Sequence, residues 1–255
     1  MKKSVTLLLL FLYFSFYGNA QFKNASIMVE GYSLPYKIMF PENYDETKQY
    51  PLLIFLHGAG ERGTDNEKQL ANGNDFLVNN FQSKYPAIVI APQCPPTSYW
   101  ANITRHQVDR NIAFTFGNNE QPTQPMHTLM ALVDLWLTSG HVDKSKVYVG
   151  GLSMGGMGTY ELVWRMPNIF TAAFPICGIV DDNQLNKIAS NTALWIFHGA
   201  KDDVVLPEFS RNTYKQLKDL ESDVKYTEYE EANHNSWDSA FAEPELASWL
   251  FSKSK

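Results

Sequence analysis

Apolar residues in this chain gather into short unbroken runs separated by stretches with helical periodicity. Leu52-Leu-Ile-Phe-Leu56, Ala87-Ile-Val-Ile-Ala91, Val147-Tyr-Val149 and Ala193-Leu-Trp-Ile-Phe197 are each bounded by turn residues. Runs this short, with no polar alternation, predict strands buried on both faces of a parallel sheet. Residues 171–176 form a weaker candidate, and 224–229 read as the last strand. Between the runs, Leu129, Leu132, Val133, Trp136 and Leu137 repeat at i, i+3, i+4, i+7 and i+8, the stripe of a helix laid on a sheet. Residues 154–165 predict a second helix, with Pro167 just beyond its end. Phe209, Leu217 and Leu220 mark a third, and 245–251 a last one. Residues 26–40 read as an antiparallel hairpin turning near Gly31. Strand alternating with helix predicts a doubly wound, mostly parallel α/β sheet with helices on both faces. Ligands of such sheets bind beyond the carboxyl ends of the strands, so chemistry is sought there.

The first twenty residues stand apart from this pattern. Lys2 and Lys3 precede an apolar run from Val5 to Tyr17, and Gly18-Asn19-Ala20 supplies small residues for cleavage. The run is too short to span a bilayer, so residues 1–20 are expected to be a signal peptide, and 21–255 a single secreted or periplasmic domain. Losing the two lysines takes the formal charge from −6 to −8. With no basic stripe, that balance excludes nucleic acid as a partner, and no membrane association is expected after cleavage. Export permits a disulfide between Cys94 and Cys177. Each ends a predicted strand, however, and two intervening strands would hold them roughly 14 Å apart, so two buried free thiols are expected.

Candidate chemistry centres on Tyr148-Val-Gly-Gly-Leu-Ser-Met-Gly-Gly-Met-Gly-Thr-Tyr160, where five glycines surround Ser153. Gly151-Leu-Ser-Met-Gly155 fits Gly-x-Ser-x-Gly between a strand and a helix, the setting of a nucleophile elbow. A glycine-rich turn that merely packs tightly matches the same letters, so the motif needs partners. A serine hydroxyl needs a base, and the base an orienting acid. His106, His127 and His141 lie away from the strands' carboxyl ends. His57 and His198 end buried strands and read as structural, bonded to nearby backbone. His234 follows the last strand in a short polar loop, and Asp202 and Asp203 follow the strand ending at Phe197. The resulting order is serine, aspartate, histidine, with the two aspartates indistinguishable by position. For the developing oxyanion, the backbone N–H of Met154 is one expected donor. The second comes from the loop His57-Gly-Ala-Gly-Glu-Arg-Gly63, at Ala59 or alternatively Gly60. Glu61 and Arg62 read as an ion pair holding that loop. No clustered ligand spacing calls for a metal or organic cofactor.

Taken together, these segments resemble secreted α/β-hydrolase esterases of the prolyl-oligopeptidase-like and dienelactone-hydrolase-like group. The resemblance rests on Leu56-His-Gly-Ala-Gly-Glu-Arg-Gly63, Ala91-Pro-Gln-Cys-Pro95, Gly151-Leu-Ser-Met-Gly155, His198-Gly-Ala-Lys-Asp202 and His234-Asn-Ser-Trp237. It implies the α/β-hydrolase fold and, because the group's acid is the first aspartate of His-Gly-x-x-Asp, selects Asp202. It further implies hydrolysis of carboxylic esters, including acetyl or feruloyl groups on plant polysaccharides, without a cofactor. A serine peptidase and a non-catalytic binding protein on the same scaffold are the alternatives. Residues 95–125 form a long stretch without clear periodicity that carries Tyr99, Trp100, Phe114 and Phe116. It reads either as a substrate-binding lid or as an excursion anchored by its aromatics. Trp100 and Trp237 are taken as substrate-binding candidates, although Trp237 also suits packing beneath the His234 loop.

Overall fold

The computed structural model describes residues 22–108, 111–117 and 121–255, so the expected signal peptide lies outside the described residues. Strands β1 (Lys23–Val29) and β2 (Tyr32–Met39) form the hairpin over Glu30-Gly31. They are followed by β3 (Tyr50–Leu56), helix α1 (Asn74–Phe81) and β4 (Ile88–Pro92). Strands β5 (Ile103–Val108) and β6 (Asn111–Phe116) make a separate two-stranded sheet. Then come α2 (Gln124–Thr138), β7 (Val142–Leu152), α3 (Met154–Arg165), β8 (Ala172–Ile176), α4 (Leu185–Ala189) and β9 (Ala193–Gly199). The chain closes with α5 (Pro207–Asp219), β10 (Val224–Tyr229), α6 (Trp237–Phe241) and α7 (Leu246–Ser252). The main sheet has eight strands in the order β1-β2-β4-β3-β7-β8-β9-β10. β1 and β2 are antiparallel to their neighbours, and β4, β3, β7, β8, β9 and β10 run parallel. This is the α/β-hydrolase architecture.

The apolar runs serve both faces of the sheet because successive side chains on a strand point to opposite sides. Leu52, Ile54 and Leu56 of β3 join the core under α2 and α3, together with Leu129, Leu132 and Val163. Leu53 and Phe55 of the same strand join the opposite core, with Phe76, Phe81, Trp195 and Leu250. Each such side chain withdrawn from water contributes about 1.5–3 kcal/mol, so the central strands are secured from both sides. Cys94 and Cys177 are buried and unpaired, with β3 and β7 lying between the strands they follow.

The stretch expected to be an irregular loop is instead the β5–β6 hairpin, paired from Ile103↔Phe116 to Val108↔Asn111. Its root is secured by Asn102, whose N–H donates to the Glu161 carboxylate at 2.8 Å, while Gly117 N–H donates to the Asn102 carbonyl at 2.8 Å. Ile103 packs with Met157 of α3 and with Val205, and Phe114 and Phe116 flank that contact. The hairpin therefore lies against the N-terminal part of α3, beside the strand ends where ligands are expected.

Candidate active site

Ser153 occupies the turn between β7 and α3 with φ +53° and ψ −116°. A non-glycine residue at positive φ costs on the order of 1–3 kcal/mol and must be held by its surroundings. Part of that hold is the Ser153 N–H, which donates to the Ile176 carbonyl on β8 at 2.8 Å. The glycine two residues on has a steric reason: a Cβ on Gly155 would lie 1.9 Å from the Leu56 carbonyl oxygen. Only a bare α-carbon lets α3 start this close to the end of β3. The first N–H groups of a helix have no partner within it, which leaves that of Met154 available beside Ser153.

The other two residues arrive through a second close approach. A Cβ on Gly199, the last residue of β9, would lie 2.3 Å from the Asn233 carbonyl oxygen. The His234 loop thus seats directly on the end of β9, and Lys201 N–H donates to Ala232 O at 3.0 Å. The consequence is a continuous chain of side chains. Ser153 Oγ is 2.9 Å from His234 Nε2, and His234 Nδ1 is 2.8 and 3.1 Å from the two Asp202 carboxylate oxygens. A carboxylate only accepts, so Nδ1 carries the imidazole proton and Nε2 is left to accept from the serine hydroxyl. Asp202 is 3% exposed. Burial alone raises its pKa, but hydrogen bonds from His198, His234 and the Val205 N–H outweigh that and hold the carboxyl well below the usual carboxylate range. Asp203 is exposed, and its own contact is a backbone one, its N–H donating to Asn233 Oδ1 at 3.3 Å.

His57 and His198 sit inside the protein with backbone and buried partners. His57 Nδ1 donates to the Gly58 carbonyl at 2.6 Å while Nε2 accepts from the Cys94 N–H at 2.9 Å. His198 Nε2 is 2.8 Å from the Val205 carbonyl and 3.2 Å from Asp202, and Nδ1 meets Ser210 Oγ at 2.7 Å. His198 therefore braces the far side of the Asp202 carboxylate, a supporting role that strand-end position alone does not reveal.

Ser153, Met154 and His234 open onto a cleft of about 380 Å³ whose wall includes Gly58, Ala59, Gly60, Tyr99, Arg105, Phe114 and Trp237. Ala59 and Gly60, the two candidate oxyanion donors, both border it. Trp237 does two things: it borders the cleft and packs edge-on against the His234 ring, with centroids 5.5 Å apart.

Two sequence expectations are corrected. Trp100 is fully buried, its indole N–H donating to the His57 carbonyl at 3.2 Å, so it lies beneath the cleft and cannot touch a ligand there. Glu61 and Arg62 do not pair with each other. Glu61 Oε1 accepts from Asn72 at 3.1 Å. Arg62 donates to the carbonyls of Ala59, Pro96 and Ser98 at 2.9, 3.1 and 3.2 Å. Burial raises the Glu61 pKa, which suits a carboxyl turned inward. Arg105, on β5, is a cleft residue that the sequence does not single out, because its strand is exposed and carries no apolar alternation.

Among the described residues, Cys177, Asp202 and His234 bring their ligand atoms within 4.8 Å of one another, a set with metal-binding chemistry. Two of the three are already engaged with each other. The Cys177 thiol is buried, and desolvation, followed by the nearby Asp202 charge, raises its pKa. It does not offer a thiolate.

The phospholipase/carboxylesterase family model matches residues 43–244, most of the chain. The chain belongs to the phospholipase/carboxylesterase family. The family groups phospholipases with carboxylesterases. It is 33% identical over 212 residues to a probable dipeptidyl-aminopeptidase B of Arthroderma gypseum, covering 71% of this chain and 21% of that one. The chain thus spans about a fifth of that relative's length. It is 25% identical over 194 residues to lysophospholipase-like protein 1 of Mus musculus, covering 71% and 79% of the two chains. The crystal structure of a thermostable esterase superposes with a TM-score of 0.80 at 34% identity, over 92% of this phospholipase/carboxylesterase chain and 63% of the other.

Proposed function

We propose that this chain hydrolyses carboxylic esters through an acyl-enzyme on Ser153, and that its natural substrates are acetyl or feruloyl esters carried on carbohydrate. The observation that carries the reading is the 2.9 Å approach of Ser153 Oγ to His234 Nε2, with Asp202 behind the imidazole. His234 takes the serine proton as Oγ attacks the ester carbonyl carbon, and Asp202 stabilises the imidazolium that forms. The Met154 N–H, with that of Ala59 or Gly60, faces the oxygen that becomes negative. The imidazolium returns its proton to the departing alkoxide. Water, deprotonated by the same imidazole, then releases the acid and restores the serine. Tyr99, Phe114 and Trp237 on the cleft wall offer aromatic faces to a sugar ring or a phenolic acid.

The test is Ser153→Ala, which is expected to abolish turnover of a small chromogenic ester while leaving the circular dichroism spectrum unchanged. Retained turnover would remove Ser153 from the mechanism. A panel of acetylated xylan, methyl ferulate, short acyl esters and a chromogenic peptide reads the substrate class. The identity to a dipeptidyl-aminopeptidase favours a peptidase as the second reading, and peptide turnover exceeding that of every ester would put it first.

A further inference from the structure

The cleft beside Ser153 is lined by two arginines in a chain whose formal charge is −6. Neither Arg62 nor Arg105 makes an ion pair among the described residues, although twelve such pairs occur elsewhere. Arg62 is fixed rather than mobile. Its three carbonyl bonds engage Nε and Nη1, and its guanidinium lies 4.8 Å from the centre of the Tyr99 ring. Those partners are neutral, so the full positive charge stays at the cleft wall. Arg105 stands opposite Phe114 in the hairpin, exposed and with no hydrogen bond among the described residues. The acid on this wall, Glu61, is turned to Asn72, and burial biases it toward the neutral form. Surface arginines of an acidic protein ordinarily meet carboxylates; here two converge on a cleft next to a reactive hydroxyl and meet none.

We infer that the cleft selects esters that carry an anionic group close to the scissile bond, with Arg105 as the specificity-determining residue and Arg62 as a fixed second charge. A planar guanidinium pairs with a carboxylate through parallel N–H bonds. In a cleft about 380 Å³ in volume, a carboxylate on either side of the ester lies within a Debye length of both arginines. The carboxylate belongs either to the acyl group, as in the half-ester of a dicarboxylic acid, or to the alcohol, as in an acylated uronic acid. The inference rests on the esterase reading above and narrows it.

Two matched pairs of esters test it. Mono(4-nitrophenyl) glutarate against 4-nitrophenyl valerate places the carboxylate on the acyl side. 4-Acetoxybenzoate against 4-acetoxybenzamide places it on the alcohol side. kcat/KM is measured at about 20 mM and about 0.5 M sodium chloride, where screening differs severalfold. In the wild type, the anionic member of at least one pair is expected to be favoured about tenfold at low salt, as for one charge-assisted hydrogen bond, with the preference shrinking at high salt. Arg105→Ala is expected to reduce that ratio toward unity and Arg105→Lys to restore part of it. Lys215→Ala, which removes an equal charge from exposed α5, should leave the ratio as it was. An anionic member no better than its neutral partner in both pairs would overturn the inference while leaving the esterase reading intact. So would Arg105→Ala and Lys215→Ala changing the ratio alike. No turnover of any of the four esters would take down the esterase reading, and this inference with it.

Discussion

Acidification is expected to destabilise this protein through His57, a residue outside the proposed chemistry. Both ring nitrogens of His57 are spent on backbone, as donor to Gly58 and acceptor from Cys94, and the side chain is 1% exposed. Burial is the main cause that lowers its pKa from the ordinary 6.5 to about 4; the Gly58 bond works against this, and the Arg62 charge adds to it. Below pH 6.5 the unfolded chain therefore binds a proton at His57 that the folded chain refuses until pH falls to about 4. More protons on the unfolded state means that stability rises with pH across that window and is lost on going down through it. At about 1.4 kcal/mol per pH unit, the shift corresponds to a loss of about 3 kcal/mol. That is a large part of the 5–15 kcal/mol typical of a folded domain. Urea unfolding followed by tryptophan fluorescence at pH 7 and pH 4 measures the loss. His57→Asn, a neutral side chain that has an amide NH2 to donate and a carbonyl to accept, removes the titration. Wild type should lose about 3 kcal/mol more than this variant between the two pH values. Parallel losses would refute the reasoning. If the variant does not fold, the imidazole resonances of the wild type decide instead, and a His57 ring titrating near 6.5 would be the refuting result.

Three further outcomes follow from the same geometry. Asp202→Asn removes the charge and places an amide N–H donor where a carboxylate oxygen set the His234 tautomer, and should lower kcat by about 10⁴-fold with little change in KM; steady-state kinetics within tenfold of wild type would contradict it. Trp100→Ala empties a fully buried site and breaks the bond to His57 O. It should cost about 3–5 kcal/mol and lower Tm by about 10 °C, whereas Tyr99→Ala, half-buried on the cleft wall, should move KM more than Tm. Burial pushes the Cys94 thiol up to about 12 and raises Cys177 as well. An aromatic disulfide reagent should therefore titrate no thiol in the native protein and two after denaturation.

The central strands were legible because a strand covered on both faces leaves an unbroken apolar run, and β3, β4 and β9 read directly. The elbow was legible because close backbone approach demands glycine, and Gly155 meets the Leu56 carbonyl. The hairpin was not. Thr104, Arg105, His106 and Gln107 are all exposed, so β5 has no apolar alternation to betray it. The helix α5 was legible but its buried face was not, for a related reason. Phe209 and Leu220 are substantially exposed, while Ser210 and Thr213 are buried, Ser210 because its hydroxyl meets His198. A hydrophobic pattern cannot register a helix face that buries hydroxyls. Position could not separate Asp202 from Asp203, whereas the geometry puts only the former against His234. Trp100 and Tyr99 are adjacent aromatics in the same polar setting, and only their opposite directions, one inward and one onto the cleft, separate core from surface.

The narrow neck at Asn102 and Gly117 has a consequence for how selectivity is altered. Ser153, His234 and Asp202 follow the ends of β7, β10 and β9, whereas Arg105 and Phe114 ride on an insert that leaves and re-enters the body between Asn102 and Gly117 and rests on it through Ile103. Replacing residues 104–115 by a hairpin of equal span that keeps the Asn102–Glu161 anchor and the Ile103 contact is therefore expected to change what the cleft admits while Ser153, His234 and Asp202 stay in register.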